Sequence, residues 1–236
     1  MTERWENLHD PQVAWRQKII GDINGLFVVP RYVEVFGEAF ADARGWSFFE
    51  IGSGNGDMSA AMLNGHPDRI GRYVCSECFE EGVDWLHRRG LEAVRADAQA
   101  LPSEDGAFDA VVEFDVMHHV DRPRDMAREM MRVARRGRLL LVESNGLSVF
   151  RKLKELTPGH RAAGERSYTP RSYRGFFEGH PGFEVTGFRI YPFLFPFKVP
   201  KALLPALAAF NRAIERVPFF RWQCSSVVII VDYRRV

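Results

Sequence analysis

Residues 48–57 read Phe48-Phe49-Glu50-Ile51-Gly52-Ser53-Gly54-Asn55-Gly56-Asp57, an apolar run that ends in an acid and then carries glycine at alternate positions. The run predicts a buried strand. The glycines predict that it breaks into a tight turn on whose bare main chain a ligand can lie, because glycine takes dihedrals closed to other residues. A helix is expected to follow from Asp57 to Asn64, its N-terminus aimed at that ligand. Glycine-rich turns also serve merely to bend a chain, so the spacing decides. A dinucleotide fingerprint requires G-x-G-x-x-G or A. Gly52 and Gly54 fit it, but its third position falls on Asp57, and Gly56 comes one residue early. Glu50 at the strand end is awkward against an anionic pyrophosphate and suits a ligand carrying an amino group or hydroxyls.

From Phe48 to Glu143, strand-like and helix-like patterns alternate. Phe48–Ile51, Arg72–Ser76, Leu91–Ala96, Ala110–Phe114 and Arg138–Val142 read as strands. A helix with Val83, Trp85 and Leu86 is closed by Gly90 as a C-cap, and a longer one runs from Arg122 to Arg135 with Pro123 in its first turn. Short apolar strands separated by helices predict an α/β fold with right-handed crossovers and a buried parallel sheet. Ligands on such sheets bind at the carboxyl ends of the strands. Polar residues recur there: Glu50, then Ser76 and Glu77, then Asp97, then Glu113, Phe114 and Asp115, then Glu143. A single acid at such a place is commonly a helix cap or solvated turn, but several on one edge repel one another and need a reason to be there. Glu77, about 25 residues beyond Gly52, is placed to accept from both hydroxyls of a ribose. Asp97, Ala98 and Gln99 offer hydrogen-bonding groups beside an apolar wall, which suits the amino edge of adenine.

The bulk properties narrow the class. The 236 residues suffice for one globular domain, 46% of them apolar. With 32 basic and 31 acidic residues the net charge is +1, so no global field favours nucleic acid; the cluster Arg132, Arg135, Arg136 and Arg138 reads as a solvated helix end. No apolar run reaches the roughly 20 residues of a membrane span, and no signal peptide is recognisable, so a cytoplasmic protein is expected. Three cysteines make no disulfide framework. Cys75 and Cys78 form a C-x-x-C without a second ligand pair, and no metal is expected.

Five motifs in order, Glu50-x-Gly52-x-Gly54-x-Gly56, Glu77, Ala96-Asp97-Ala98-Gln99-Ala100-Leu101-Pro102, Phe108-Asp109-Ala110-Val111-Val112 and Met117-His118-His119-Val120, resemble the class I S-adenosylmethionine-dependent methyltransferases. The resemblance covers about residues 45 to 145 and is nearest the small-molecule branch that includes the ubiquinone and menaquinone methyltransferases. It implies a doubly wound, Rossmann-like sheet of seven strands, with an antiparallel pair at the C-terminus and a helical cap. It further implies that Glu50 and the glycines Gly52, Gly54 and Gly56 contact the methionine part of the cofactor, Glu77 the ribose, and Asp97 and Ala98 the adenine, with Ser53, Cys78 and Gln99 among the cofactor-binding residues. Glu113, Phe114 and Met117 would complete the site. Two departures stand out: Ala134-Arg135-Arg136-Gly137 replaces the usual proline-glycine turn, and the second strand ends in Ser76-Glu77 where an aspartate is common.

Methyl transfer from a sulfonium rests on positioning and exclusion of water, with a general base only where the acceptor must lose a proton. His118 and His119, just past the fourth strand, are the catalytic candidates; Glu143, Tyr168 and His160 are alternatives. Residues 1–44 are read as an N-terminal helical cap marked by Trp5, Val13, Trp15, Ile19, Ile20, Tyr32, Val33, Val35 and Phe36, residues 45–146 as the cofactor-binding core, and 147–236 as the substrate side and closing strands. Leu147–Leu156 reads as a helix and Thr157–Pro170 as a polar loop. Phe183–Tyr191 and Ser225–Tyr233 read as strands. Between them, the aromatic stretch from Pro192 to Pro200 and a helix with Leu203, Leu204, Leu207, Phe210 and Ile214 need a partner. That partner can be the cap itself, a hydrophobic acceptor, a membrane surface or a second subunit meeting residues 192–222. The expected activity is methylation of a hydrophobic or aromatic small molecule, foremost at oxygen, with carbon or nitrogen as alternatives. A nucleotide-dependent oxidoreductase and a cofactor-binding module without chemistry are the rival classes.

Overall fold

A computed structural model of the protein describes residues 27–156, 166–193, 201–218 and 220–236. The markers Trp5 to Ile20, His160, most of the loop expected at 157–170, and the stretch 194–200 lie outside the described residues. In chain order the elements are α1 (Val29–Ala39), β1 (Trp46–Ile51), α2 (Asp57–Gly65), β2 (Ile70–Glu77), α3 (Glu80–Arg88), β3 (Glu92–Arg95) and β4 (Ala110–Phe114). They continue with α4 (Pro123–Val133), β5 (Arg138–Ser144), α5 (Val149–Glu155), α6 (Pro170–Phe177), β6 (Phe183–Phe193), α7 (Leu204–Arg216) and β7 (Ser226–Arg235). One seven-stranded sheet has the order β3-β2-β1-β4-β5-β7-β6. Its first five strands are parallel, and β7 runs antiparallel between β5 and β6. This is the Rossmann-like methyltransferase sheet with its C-terminal antiparallel pair.

The apolar run at 48–51 forms the centre because it can be buried on both faces. Phe48 points one way and meets Phe36 and Phe40 at 4.9 and 5.0 Å between ring centroids, while Phe49 points the other way and meets Phe108 at 5.0 Å. The first face is covered by α1, α2, α3 and α7 through Phe36, Met62, Leu86 and Leu207. The second is covered by α4 and α6 through Met126, Met130, Tyr173 and Phe177. Each such side chain contributes about 1.5–3 kcal/mol on leaving water.

Element ends differ from the sequence reading for identifiable reasons. β3 starts at Glu92, not Leu91, because the Leu91 N–H donates to Leu86 O and the Gly90 N–H to His87 O, a Schellman close of α3 with Gly90 at φ +76°. α4 stops at Val133, not Arg135, because the Arg135 and Arg136 N–H groups donate to Phe108 O and Asp109 O. Helix α6 escaped the sequence reading. Its signal was Thr-Pro-x-Ser: Thr169 Oγ1 accepts from Ser172 N at 3.2 Å, and Pro170 opens the helix.

The basic cluster is spent on ion pairs. Arg132 binds Glu129 and Asp105, and Arg138 binds Asp232. Arg135 and Arg136 both reach Asp109 Oδ1 at 2.7 Å, while Oδ2 accepts from Ser47 N and Oγ at 2.9 Å. Burial opposes charge on Asp109, but the two guanidiniums and Ser47 hold its carboxyl well below the usual range. Among the described residues no helix is long and apolar enough to cross a membrane. Part of the 192–222 stretch turns inward, since Phe193 and Leu207 are buried, whereas Leu203, Phe210, Val217 and Phe220 are exposed.

Gly137 closes the sheet. Its backbone has φ +67°, and a Cβ there would stand 2.1 Å from Tyr233 O. Gly137→Ala should therefore cost about 3 kcal/mol and lower the melting temperature by roughly 6–12 °C. Gly90→Ala, whose methyl meets nothing within 4 Å, should cost only about 1–2 kcal/mol of left-handed strain. Thermal unfolding followed by circular dichroism compares the two.

Candidate active site

β1 stands between β2 and β4, so the chain order reverses at its edge and a crevice opens beyond its carboxyl end. There Gly52, Gly54 and Gly56 take φ of +65°, +58° and +78°. Their surroundings differ. A Cβ on Gly52 would lie 2.7 Å from Val116 Cγ2 and one on Gly56 2.6 Å from Leu91 Cδ1, but one on Gly54 would meet nothing within 4 Å. Two glycines thus allow close packing, and the third faces open space at the start of α2. The turn is braced from β2: Gly54 N donates to Glu77 Oε1 at 2.5 Å, Ser53 N to Ser76 O at 2.9 Å, and Ser76 N to Ser53 Oγ at 3.2 Å. Glu50 lies beneath the turn and accepts from Ser59 Oγ of α2. Burial pushes its carboxyl up to about 7, against the Ser59 bond.

The loop after β3 carries the next group. Asp97 is exposed, and its Oδ1 accepts from Gln99 N at 2.8 Å; Gln99 Oε1 in turn accepts from Arg122 N at 2.9 Å. Ala98 is half-buried beside this turn. α4 fixes the loop, because Leu101 N donates to Glu129 Oε2 and Arg132 donates to Leu101 O. Cys78 is exposed just past β2.

Beyond β4 and β5 lies a buried acid cluster. Glu143 Oε2 is 2.7 Å from His118 Nδ1 and 3.0 Å from Tyr173 Oη, and its Oε1 accepts from Met117 N. Burial works against charge on both partners, but each holds the other ionised, so Glu143 is lowered and His118 raised. Glu113 sits beside them. Its Oε2 accepts from Val116 N at 2.9 Å, while Oε1 is buried without a hydrogen-bond partner. Burial and the neighbouring Glu143 charge raise Glu113 well above the carboxylate range. A proton on Oε1 removes both the repulsion and the unpaired acceptor.

The expected site residues differ in depth. Met117 is 0% exposed and packs in the second core, its N–H bonded to Glu143. Glu113 and His118 are likewise enclosed, at 0% and 4%. His119 is half-buried and stacks on His118 with centroids 4.0 Å apart. Phe114 is half-buried and in contact with Tyr32 of α1, which also meets Phe193; both centroid distances are 5.6 Å. Tyr32 and Tyr173 were the members that sequence reasoning missed. Tyr32 looked like one more apolar helix residue, and Tyr173 belongs to the unrecognised α6.

Residues 49–142 match the family described as methyltransferase domain. The matched segment runs from β1 to β5, the parallel strands around the glycine turn. A demethylmenaquinone methyltransferase of Clavibacter sepedonicus is 32% identical over 44% of this chain and 43% of its own length. A fatty-acid O-methyltransferase of Mycolicibacterium smegmatis is 34% identical over 42% of this chain and 37% of its own. The chain thus covers less than half the length of these relatives. A S-adenosylmethionine-dependent methyltransferase from Archaeoglobus fulgidus superposes with a TM-score of 0.63 at 15% identity, covering 94% of this chain and all of that one, which shows the shared fold.

The acid cluster gives a signed prediction. Glu143→Gln, which removes the charge opposite His118 and keeps only one oxygen for the donors of His118 and the Met117 N–H, should cost about 3 kcal/mol or more. Glu113→Gln should leave stability at pH 8 unchanged or higher, because a raised pKa means that folding opposes ionisation there. The His118 contribution is full below the unfolded histidine value and fades as pH rises through the raised folded one. Urea unfolding of both variants between about pH 5 and 9 checks the order.

Proposed function

We propose that the protein transfers a methyl group from S-adenosylmethionine to an oxygen of a hydrophobic or aromatic small molecule. The observation that carries this reading is the left-handed glycine turn, open at Gly54 and braced by the Glu77 carboxylate. The bare main chain of the turn, left without a side chain at Gly54, would hold the amino-acid end of the cofactor, Glu77 a ribose hydroxyl, and the Asp97–Gln99 turn the adenine edge. The cofactor supplies an electrophilic methyl carbon and needs no acid from the protein to leave as a thioether. The protein's tasks are then to align the acceptor and exclude water. Tyr32, Phe114 and Phe193 form an aromatic cluster beside the end of β4, and its half-buried member Phe114 would meet an apolar acceptor body. His118, enclosed and bound through Nδ1 to Glu143, fixes the turn after β4 as a charged pair rather than serving as a free base. The printed names of the two curated relatives support a small-molecule acceptor, and one of them supports oxygen.

Isothermal titration with S-adenosylhomocysteine tests the cofactor. Binding is expected, and Gly54→Ala should weaken it at least about tenfold while costing roughly 1–2 kcal/mol of stability. Folded protein that shows no binding would sink the reading. Mass spectrometry of products from hydroxylated aromatic acceptors then tests for ether formation.

A further inference from the structure

The mechanism above leaves one residue at the crevice unused. Asp115 follows β4 directly and is the one non-glycine among the described residues with a positive φ, at +60°. An aspartate enters this region more readily than most residues but still at a cost, and here the conformation is enforced from both sides. The Asp115 N–H donates to Val142 O at 2.8 Å and the Val116 N–H to Glu113 Oε2 at 2.9 Å. Val116 also lies against Gly52, so Asp115 is one residue from the contact with the glycine turn.

The simple explanation is a local turn, in which the aspartate would cap its own backbone. The side chain does not do this. Its hydrogen bond is a long one, 3.3 Å from Tyr32 Oη on a different element. Asp115 is exposed, whereas Glu113, Met117, His118 and Glu143 around it are buried. Of the acids at the ends of β4 and β5 it is therefore the one that a ligand can reach. The setting is nonetheless crowded: Tyr32, His118, Glu143 and Arg151 all act on its charge, and the protein packed around an otherwise exposed residue, with the Glu143 charge, raises its pKa. An exposed carboxylate next to half-buried Phe114 and bonded to Tyr32 suits a protic group on an apolar body and repels an anion.

We propose that the Asp115 carboxylate receives the methyl acceptor: it accepts a hydrogen bond from the O–H or N–H that is methylated and takes its proton, so the acceptor is a neutral or cationic protic molecule and not a carboxylate. In that step the O–H or N–H bond breaks, its electron pair forms the new bond to the methyl carbon, the carbon–sulfur pair leaves with sulfur, and the proton passes to Asp115. The inference rests on the methyltransferase reading and narrows it. It turns the acceptor away from fatty acids, which are anionic at neutral pH.

The test titrates protein saturated with S-adenosylhomocysteine near neutral pH with three probes that carry their polar group at the same ring position: 2-naphthol, 2-naphthylmethylamine and 2-naphthoate. The naphthol and the amine should bind at least about tenfold more tightly than the carboxylate, the scale of a charge-assisted hydrogen bond. Asp115→Asn should bring the three within about twofold while leaving S-adenosylhomocysteine affinity within twofold of the parent. Asp115→Gly, which removes the strain with the carboxylate, should melt no lower than the parent and show the same loss of preference. Equal or tighter binding of 2-naphthoate, no binding of any probe, or an Asp115→Asn protein with the parent's preference overturns the proposal. Failure to bind S-adenosylhomocysteine instead overturns the methyltransferase reading beneath it, and the two failures are read in separate titrations.

Discussion

Strand β1 is hydrogen-bonded along both edges and packed on both faces, so its backbone gains freedom only where it ends. That single constraint places the chemistry. Phe48 and Phe49 commit opposite faces to separate cores, β2 and β4 take the two edges, and the chain must then leave a crowded sheet centre within a few residues. Left-handed glycines are the means of doing so. The main chain exposed by that exit is the surface on which a cofactor can lie.

Charge at this end is arranged by depth. Glu50 and Glu113 are enclosed and tend to carry protons, Glu143 is enclosed but keeps its charge through His118, and Asp115 reaches solvent. Acids that looked equivalent as strand ends therefore differ in what they can do. The buried ones set the shape of the turns after β1, β4 and β5 by accepting from Ser59, Val116 and Met117. Glu77 belongs to the same class, since its bond to Gly54 shapes the turn as well as lining it.

The sheet was legible because its strands are short apolar runs with glycines at their ends, and β4 begins and ends where its pattern does. The glycine turn was legible for the same reason: spacing is a property of sequence. What stayed hidden depended on direction in space. The depth of Met117, whose own N–H is tied to Glu143 26 residues away, is such a case, and no periodicity reports it. Tyr32 and Tyr173 came from helices on opposite faces of the sheet, joined to the site only by folding. Asp115 could be seen as a polar strand end, but its left-handed backbone could not.

Asp109 ties the opposite edge of the sheet, holding the starts of β1 and β4 and the two arginines before β5 in one ionic knot. Order at that edge does not depend on what the crevice holds. Residues lining the crevice are then free to change with small loss to the framework, as a socket can be recut while its mounting stays bolted. Under the proposed function, a lineage built on such a frame can exchange one acceptor for another through a few substitutions around Phe114 and Asp115, and new specificities are reachable without passing through an unfolded intermediate.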